Sequence, residues 1–376
     1  MRHPVIYFTT ALVILLALAA PALGLHLTSG DNRGSPHGTE ATDGLYVLEA
    51  TVGPGALSPH QVVVETGAPG GARAPATVAA EQRLLAELRA DPRSEASTIQ
   101  APALSSTATA LQAGLLEPRF QALQLRAAGH TDAGTVDAQH LVHTIRDRYI
   151  PAAAFPRTDE VLLTGAPAFG VDFKNKAYSA FPWLVAAVLV ITYLVLLRAF
   201  RSVVLPLKAV LMNLISVAAA YGVLVLVFQH GVGHDLGFAR SPQIEAWIPI
   251  FLFATIFGIS MDYEVFLLSR VREEWDRHHD NERAVAYGLE HTGRIITAAA
   301  IIMIAAFSGF MTGRFVGLQE FGVGLAAAIF LDATVVRAIL VPATMKLLGE
   351  WNWYLPERVR RAMRLAPPVA PATSSR

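Results

Sequence analysis

Six long apolar stretches constrain what this chain can fold into. A helix needs about 20 mainly apolar residues to cross the hydrocarbon core of a bilayer. The chain of 376 residues holds six such stretches, which are Val5–Leu25, Ala177–Leu197, Ala209–Gln229, Ala246–Ser269, Ile295–Gly313 and Phe321–Met345. None of them alternates apolar and polar residues as a barrel strand does. The sequence therefore predicts an α-helical integral membrane protein with six transmembrane helices.

Composition agrees with a membrane protein and excludes several kinds of site. Hydrophobic residues make up 53% of the chain and charged residues 16%, whereas soluble domains carry roughly 25% charged residues. Lys and Arg together number 30, as do Asp and Glu, so no basic excess indicates nucleic-acid binding. The chain has no cysteine, which excludes disulfides and thiolate metal sites.

The basic residues predict the orientation of the helices. If the N-terminus is cytoplasmic, most of them lie on the cytoplasmic side: Arg2, Arg198, Arg201, Lys208, Arg270, Arg272, Arg277, Arg283, Arg294, Lys346, Arg358, Arg360, Arg361 and Arg364. The two short loops on the other side carry only Arg240 and Arg314. This positive-inside pattern predicts that both termini lie in the cytoplasm and that residues 26–176 lie outside the membrane. The first stretch could instead be a cleaved signal peptide, and residues 26–176 would still lie outside.

The segment between the first two stretches is predicted to be an α+β domain. Its expected strands are Gln61–Thr66, Ala96–Gln100, Phe120–Arg126 and Glu160–Thr164, and its expected helices are Ala74–Ala90 and Thr135–Tyr149. Their order predicts a split, ferredoxin-like βαβ arrangement inserted between helices 1 and 2. We therefore divide the chain into a first helix (1–25), this domain (26–176), a five-helix bundle (177–348) and a cytoplasmic tail (349–376) that is disordered at its end.

Asp262 is the residue that most directly suggests a function. It lies eight residues before Arg270, which is about 12 Å along a helix and so near the middle of a core about 30 Å thick. An ionisable side chain at this depth costs about 2.5–3.5 kcal/mol and usually marks an ion path. Because desolvation disfavours an ionised carboxylate, Asp262 can take up and release a proton. The alternative is a protonated packing residue.

Three stretches resemble the MMPL family (mycobacterial membrane protein large) of the resistance–nodulation–division transporter superfamily. They are Gly258–Arg270 with the following Val271–Trp275, Thr292–Ala300, and Phe330–Ala343. The order of one helix, a large outer domain and five helices is also similar to one repeat of that family. Its members carry two such repeats, each with an Asp-Tyr pair. This chain resembles only the C-terminal repeat and has no second Asp-Tyr dipeptide.

The resemblance implies a function, a site and partners. It implies that Asp262 and Tyr263 form a proton relay by pairing with the Asp-Tyr of another repeat. It also implies a location in the bacterial inner membrane, contact with membrane lipids, a porter-type outer domain, and a lipidic or hydrophobic substrate that is loaded from the membrane. We therefore expect a proton-motive-force-driven exporter half that needs a second transporter half or forms a homo-oligomer. The alternative is a non-transporting scaffold or regulatory subunit that binds lipid or a partner transporter half.

Three other ionisable residues within the stretches are candidates for a secondary relay or a structural ion network. Glu264 lies nearer the inner surface and is expected to reach water or the basic loop. Asp332 and Arg337 are five residues apart, so they do not share one face of an α-helix. We expect them to pair with other helices or to extend to the inner surface.

Other motifs exclude further functions. The sequence has no G-x-x-x-x-G-K-[ST] loop and no G-x-S-x-G elbow, and it shows no spacing of nucleophile and base, so we predict neither an enzyme nor a cofactor. His278 and His279 are adjacent in a charged loop, and His140 and His143 repeat at helical spacing. We interpret all four as surface residues and predict no metal site. Gly258, Gly322 and Gly324 are expected to let helices approach closely.

Overall fold

The computed structural model describes residues 3–28 and 38–362. Within these residues, 6 helices are long and apolar enough to cross a membrane: Pro4–Gly24, Ala166–Phe200, Val204–Gln229, Ile248–His278, Asn281–Met311 and Val316–Trp353. This confirms the prediction of six helices that could each span a membrane. Arg2, Arg364 and the end of the predicted tail lie outside the described residues.

Thirteen α-helices and five strands make up the described part of the chain. The helices are α1 (Pro4–Ala19), α2 (Glu40–Val52), α3 (Pro75–Ala90), α4 (Thr107–Gln112), α5 (Val136–Thr144), α6 (Ile150–Ala153), α7 (Ala166–Phe200), α8 (Val204–Leu224), α9 (Ile248–His278), α10 (Asn281–Met311), α11 (Val316–Leu331), α12 (Val341–Leu348) and α13 (Glu357–Ala362). The strands are β1 (Leu27–Thr28), β2 (His60–Glu65), β3 (Ala122–Ala127), β4 (Glu160–Thr164) and β5 (Ile244–Glu245). A π-helical segment, Asp332–Leu340, joins α11 to α12 without a break.

The domain between α1 and α7 is built on an antiparallel three-stranded sheet in the order β3-β2-β4. Val62 in the central strand pairs with Leu125 on one side and Leu163 on the other. Alternate residues of β2 are buried, as expected for a strand with one covered face. Helices α3 and α5 contribute the other half of this core, including Leu84 and Leu141.

Three of the four predicted strands are confirmed, and the strand predicted at Ala96–Gln100 is wrong. This segment is a short 3₁₀ helix followed by a single bridge between Gln100 and Arg126. The side chains of Ser97 and Thr98 hydrogen-bond back to Glu95, each over 2.7 Å. Such local bonds compete with a ladder, which explains why the apolar and β-branched composition did not produce a strand.

Helix α7 begins within the domain rather than at the predicted Ala177. It starts at Ala166, directly after Gly165, whose φ of 102° turns the chain out of β4. The buried side chains of Ala168 and Val171 belong to the domain core. The same helix then continues into the bundle and ends at Phe200. One continuous helix therefore connects the sheet to the membrane-spanning part.

Glycines set several of the closest helix contacts in the bundle. A Cβ at Gly222 in α8 would lie 1.7 Å from the backbone oxygen of Leu18, so α1 and α8 touch backbone to backbone. Gly324 packs against leucines of neighbouring helices, and Gly322 packs against Phe307. The contacts of Gly322 and Gly324 confirm the prediction that these two glycines let helices approach closely. Gly258 has no neighbour within 4 Å, so it makes no close helix contact within the described residues.

A short pair of parallel strands lies at the end of the bundle nearest the domain. β1, just after the first span, pairs with β5, just before α9. The amide of Ile244 donates to the carbonyl of His26 over 2.8 Å, and the amide of Ala246 donates to that of Thr28 over 2.7 Å. We call this end of the bundle the domain side and the opposite end the far side.

The chain folds back against the helix ends on the far side. The rings of Trp275 in α9 and Trp353 after α12 stack with centroids 4.8 Å apart, and the guanidinium of Arg272 lies 5.2 Å from the Trp353 ring. Asn352 is fully buried there, and its carbonyl accepts a 2.6 Å hydrogen bond from Ser202 at the start of α8. These contacts hold the far ends of α7, α8, α9 and α12 together.

Candidate functional site

Asp262 faces away from the interior of the six-helix bundle. Its side chain is exposed and makes no hydrogen bond or ion pair within the described residues. Ala254 and Gly258 precede it at four-residue spacing and are exposed on the same side of α9. Asp262 lies near the middle of α9 (Ile248–His278), on an outward face that also carries small residues. Such a carboxylate faces either lipid or another protein surface.

Tyr263 points into the bundle instead, because neighbouring residues on a helix diverge by about 100°. Its side chain is half-buried, and its hydroxyl donates to the sulfur of Met303 in α10 over 3.3 Å. The guanidinium carbon of Arg337 lies 5.0 Å from the centre of the Tyr263 ring, within cation–π range. Tyr263 therefore lies between the outward face and a buried ionic cluster.

The centre of that cluster is an ion pair between Asp332 and Arg337. Arg337 Nη2 lies 2.7 Å from Asp332 Oδ2, and both side chains are less than a tenth exposed. The expectation that these residues do not share one helix face was wrong, whereas the expected pairing with another helix is present in their bonds to Ser260. They lie in the π-helical segment 332–340, whose i→i+5 period aligns residues at this spacing. Both residues also bond to Ser260 in α9, whose hydroxyl donates to Asp332 over 2.8 Å.

Glu264 and Lys208 extend the cluster toward the far side. Glu264 is only 5% exposed and Lys208 only 6%. The expectation that Glu264 would reach water or the basic loop was therefore wrong. Lys208 lies inside α8, on its buried side. Glu264 follows Ser260 by one turn of α9, so both residues lie on the same buried face of the helix. Lys208 and Arg337 lie close enough to act electrostatically on its carboxylate.

The cluster contains polar atoms that lack partners among the described residues. They are Lys208 Nζ, Asn213 Nδ2, Ser216 Oγ, Glu264 Oε1, Asp332 Oδ1 and Arg337 Nη1. Each unsatisfied buried group costs roughly 1–3 kcal/mol, and such groups are usually bridged by ordered water. A cavity of about 10 Å³ lined by Ser260, Tyr263, Asp332 and Arg337 has the size of one water molecule. The arrangement can thus hold water beside an ion pair inside the bundle.

Sequence reasoning missed Lys208, Asn213, Ser216 and Ser260 as members of this cluster. The available signal was the polar spacing within α8, where Lys208, Asn213 and Ser216 interrupt an apolar helix on its buried side. Polar residues inside a span usually face the bundle interior, so their positions alone could have placed them there.

A second buried polar network lies in the domain. Arg93 donates two hydrogen bonds to the Asp91 carboxylate, over 3.0 and 2.6 Å, and the hydroxyl of Tyr149 donates a third over 2.7 Å. Burial acts to raise the pKa of Asp91, but the hydrogen bonds from Arg93 and Tyr149 outweigh it and lower the pKa to about 2. Burial, aided by the charge of Arg93, lowers the pKa of His60 to about 4. The network ties α3, α5 and the sheet together and has no visible link to Asp262.

Comparison with known proteins places the chain in a family. The model of the MMPL family matches residues 33–370. The "Heme uptake protein MmpL11" of Mycobacterium tuberculosis (strain ATCC 25618 / H37Rv) is 39% identical, with 95% of this chain covering 35% of the relative. The "Mycolic acid-containing lipids exporter MmpL11" of Mycolicibacterium smegmatis is 36% identical, with 95% of this chain covering 36% of the relative.

A third relative matches a shorter region. The "Trehalose monomycolate exporter MmpL3" of Mycobacterium tuberculosis (strain CDC 1551 / Oshkosh) is 39% identical over 207 residues, which are 55% of this chain and 22% of the relative. The chain thus spans about a third of the length of the two MmpL11 relatives. The match of the family model over most of the sequence confirms the resemblance seen in the three sequence stretches. The chain is a member of the MMPL family of membrane transporters.

Proposed function

We propose that this chain is half of a proton-motive-force-driven exporter for lipidic or hydrophobic substrates. The observation that carries the proposal is Asp262, a carboxylate on the outward face of a membrane span without a partner in the described chain. An ionisable group at this depth is costly and usually marks an ion path. A proton arriving at Asp262 removes its charge and so changes what this face can contact.

The buried cluster supplies a way for that charge to affect the bundle. Tyr263, next to Asp262 in the chain, contacts Arg337, and Arg337 holds Asp332. A change of charge at Asp262 alters the field at this arginine across a region of low dielectric, where electrostatic effects are strong. Asp332, Arg337 and Glu264 then form the secondary relay or ion network. Moving one charge across the membrane supplies about 2.3 kcal/mol per 100 mV, which can bias the helix arrangement.

We propose that the outward face of α9 binds a second transporter half or a second copy of this chain. Ala254 and Gly258 leave space beside Asp262, and small residues let transmembrane helices approach closely. The family's other repeat would bring its own Asp-Tyr pair to this face. The orientation we propose places the domain outside the cell membrane and both termini in the cytoplasm, in agreement with the positive-inside pattern.

The domain is proposed as the porter part that carries substrate. Its order β2-α3-β3-α5-β4, with α7 leaving directly from the last strand, matches a split ferredoxin-like arrangement in which one edge strand is reduced to the bridge at Gln100. The printed names of two relatives describe exporters of mycolic acid-containing lipids and of trehalose monomycolate. We therefore propose a lipidic substrate that enters from the membrane and leaves through the domain.

The test compares Asp262→Asn with a matched acidic residue on the same helix. A strain lacking the gene is complemented with the wild type, with Asp262→Asn or with Asp276→Asn, and accumulation of the hydrophobic dye Nile red is measured with and without an uncoupler. Asp276 lies near the end of α9, seven residues past the apolar stretch that ends at Ser269, and is paired with Arg272 at 2.8 Å. We expect Asp262→Asn to accumulate dye as the uncoupled wild type does, whereas Asp276→Asn behaves as the wild type. Unchanged efflux in Asp262→Asn at equal membrane abundance would refute the relay.

The competing proposal is a non-transporting scaffold or regulatory subunit. The same outward face favours it, because an unpartnered carboxylate can recognise a partner without moving protons. In that case Asp262→Asn would weaken co-purification of the partner half, while dye efflux would remain insensitive to the uncoupler in every strain. The two readouts separate a docking role from a transport role.

A further inference from the structure

A cationic cleft lies where the domain meets the domain side of the bundle. It has a volume of about 440 Å³ and is lined in part by His26, His140, His143 and Lys174. Three different elements provide these side chains: the segment after the first span, helix α5 of the domain and the first part of α7. The proposed proton relay in α9 contributes no residue to its lining.

The chemistry of the lining favours an anion over a metal ion. Lys174 supplies an ammonium group, and three imidazoles surround it in the lining. Each imidazole can also donate a hydrogen bond to an anion. Asp147 lies at the edge, 3.8 Å from His143 Nδ1. No set of three His, Cys, Asp or Glu side chains in the described residues could hold a metal ion.

The walls of the cleft are fixed by hydrogen bonds. Lys174 donates to the side chain of Gln139, whose amide donates to the carbonyl of Gly134 over 3.0 Å. On the opposite wall, the amide of Gln229 lies 3.2 Å from His26 Nδ1 and donates to the carbonyl of Pro242 over 3.0 Å. His140 and His143 are exposed, so a ligand can reach their imidazoles without opening the fold. The site is thus largely formed before a ligand arrives.

The depth of the cleft matches the surface of a bilayer. His26 follows the first span, which ends at Gly24, and Lys174 lies just before the charge-free part of α7 that begins at Ala177. Leu25 and Leu27 form an apolar part of the same lining. Basic side chains beside apolar ones at the end of a span are the combination that recognises an anionic headgroup and the start of its chain.

We propose that this cleft binds the phosphate or carboxylate headgroup of an anionic amphiphile. Lys174 offsets the charge of the headgroup, the imidazoles donate hydrogen bonds to it, and Leu25 and Leu27 contact the first carbons of its chain. Because one wall belongs to the domain and the other to the bundle, the ligand bridges the two parts. This inference does not depend on transport, and its test measures binding directly.

The experiment uses the purified full chain in dodecyl maltoside and isothermal titration calorimetry. The probes are dioctanoyl phosphatidic acid, dioctanoyl phosphatidylcholine and inorganic phosphate. We expect saturable binding of one phosphatidic acid per chain and about tenfold weaker binding of the net-neutral phosphatidylcholine, a difference of about 1.4 kcal/mol. Inorganic phosphate binding as tightly as phosphatidic acid would identify a free anion as the ligand of the same site.

The variants test whether the binding occurs in this cleft. The triple variant Lys174→Gln, His140→Gln, His143→Gln should weaken phosphatidic acid binding at least about tenfold. The control is Arg314→Gln, which removes a cation from a different cleft on the domain side, lined by Arg240 and Arg314. All replaced side chains in the triple variant are exposed or half-buried, so the fold is retained. Absence of saturable binding to the wild type, or equal weakening by Arg314→Gln, would overturn the proposal.

Discussion

Replacing Gly222 by alanine gives the sharpest test of how the first span is held. The added Cβ would lie 1.7 Å from the backbone oxygen of Leu18, whereas a carbon and a carbonyl oxygen normally stay at about 3.3 Å or more. Since the obstacle is backbone rather than a flexible side chain, α1 must move away by roughly 1.6 Å, the difference between these distances.

The displacement has a cost that can be bounded from known overpacking. Inserting a methyl group into a well-packed interior typically costs about 1–3 kcal/mol. α1 has few buried side chains, with Ala11 and Leu15 as those most deeply buried in the bundle, so it has little other packing with which to compensate. We therefore expect Gly222→Ala to lower the free energy of unfolding by about 1–3 kcal/mol, with loss of α1 packing before the rest of the bundle.

The assay is unfolding of the full chain in dodecyl maltoside by increasing sodium dodecyl sulfate, followed by circular dichroism. Gly258→Ala is the matched control, because Gly258 is also a glycine in a span but has no neighbour within 4 Å. The control should be neutral, or more stable by up to about 1 kcal/mol from helix propensity. Equal stability of the two variants would refute the inference that α1 and α8 touch backbone to backbone.

Three further predictions concern charged groups. In the bundle, Asp332→Asn and Arg337→Gln should each destabilise the protein by about 3–5 kcal/mol, since each leaves a buried charge without its partner, whereas the double variant should recover part of that loss in the same unfolding assay. In the domain, the lowered pKa of Asp91, about 2, means that its stabilising effect is present above its ordinary pKa near 4 and is lost as the pH falls from about 4 to 2. Asp91→Asn should therefore flatten the melting temperature measured by circular dichroism across that window, and an unchanged profile would contradict the network. The pKa of His60, lowered to about 4, means that the unfolded chain binds more protons between about pH 6.5 and 4. Stability therefore decreases as the pH is lowered through that range, and His60→Gln should remove this slope.

Much of the fold could be predicted because the bilayer limits the choices. Long apolar segments that satisfy their own backbone hydrogen bonds must be helices, so the six spans followed from composition and length. The strands β2, β3 and β4 followed from alternation and β-branched residues. Where local side-chain bonds compete with the ladder, as at Ser97 and Thr98, the same composition gives a 3₁₀ turn. The alternation of apolar and polar residues within one segment does not show whether such side-chain bonds will compete with strand pairing.

The candidate site was only partly predictable, because the ion pair between Asp332 and Arg337 depends on a π-helical segment that has no recognised sequence pattern here. In an α-helix, with 3.6 residues per turn, Asp332 and Arg337 would lie on different faces. The wider turn of the π-helix brings their side chains together. The outward direction of Asp262 and the burial of Glu264 also depend on how α9 is rotated against its neighbours. Rotation is set by packing between helices, which requires knowing all the contacting faces at once.

Helix α7 has a mechanical consequence for the protein. It runs unbroken for 35 residues, or about 52 Å at 1.5 Å per residue, and its first turns belong to the domain core. Pro182 lies inside this helix, and a proline at such a position removes one backbone hydrogen bond and favours a kink. The domain is thus coupled to the span through a single helix, and Pro182 is the point along it where the two parts can bend relative to each other.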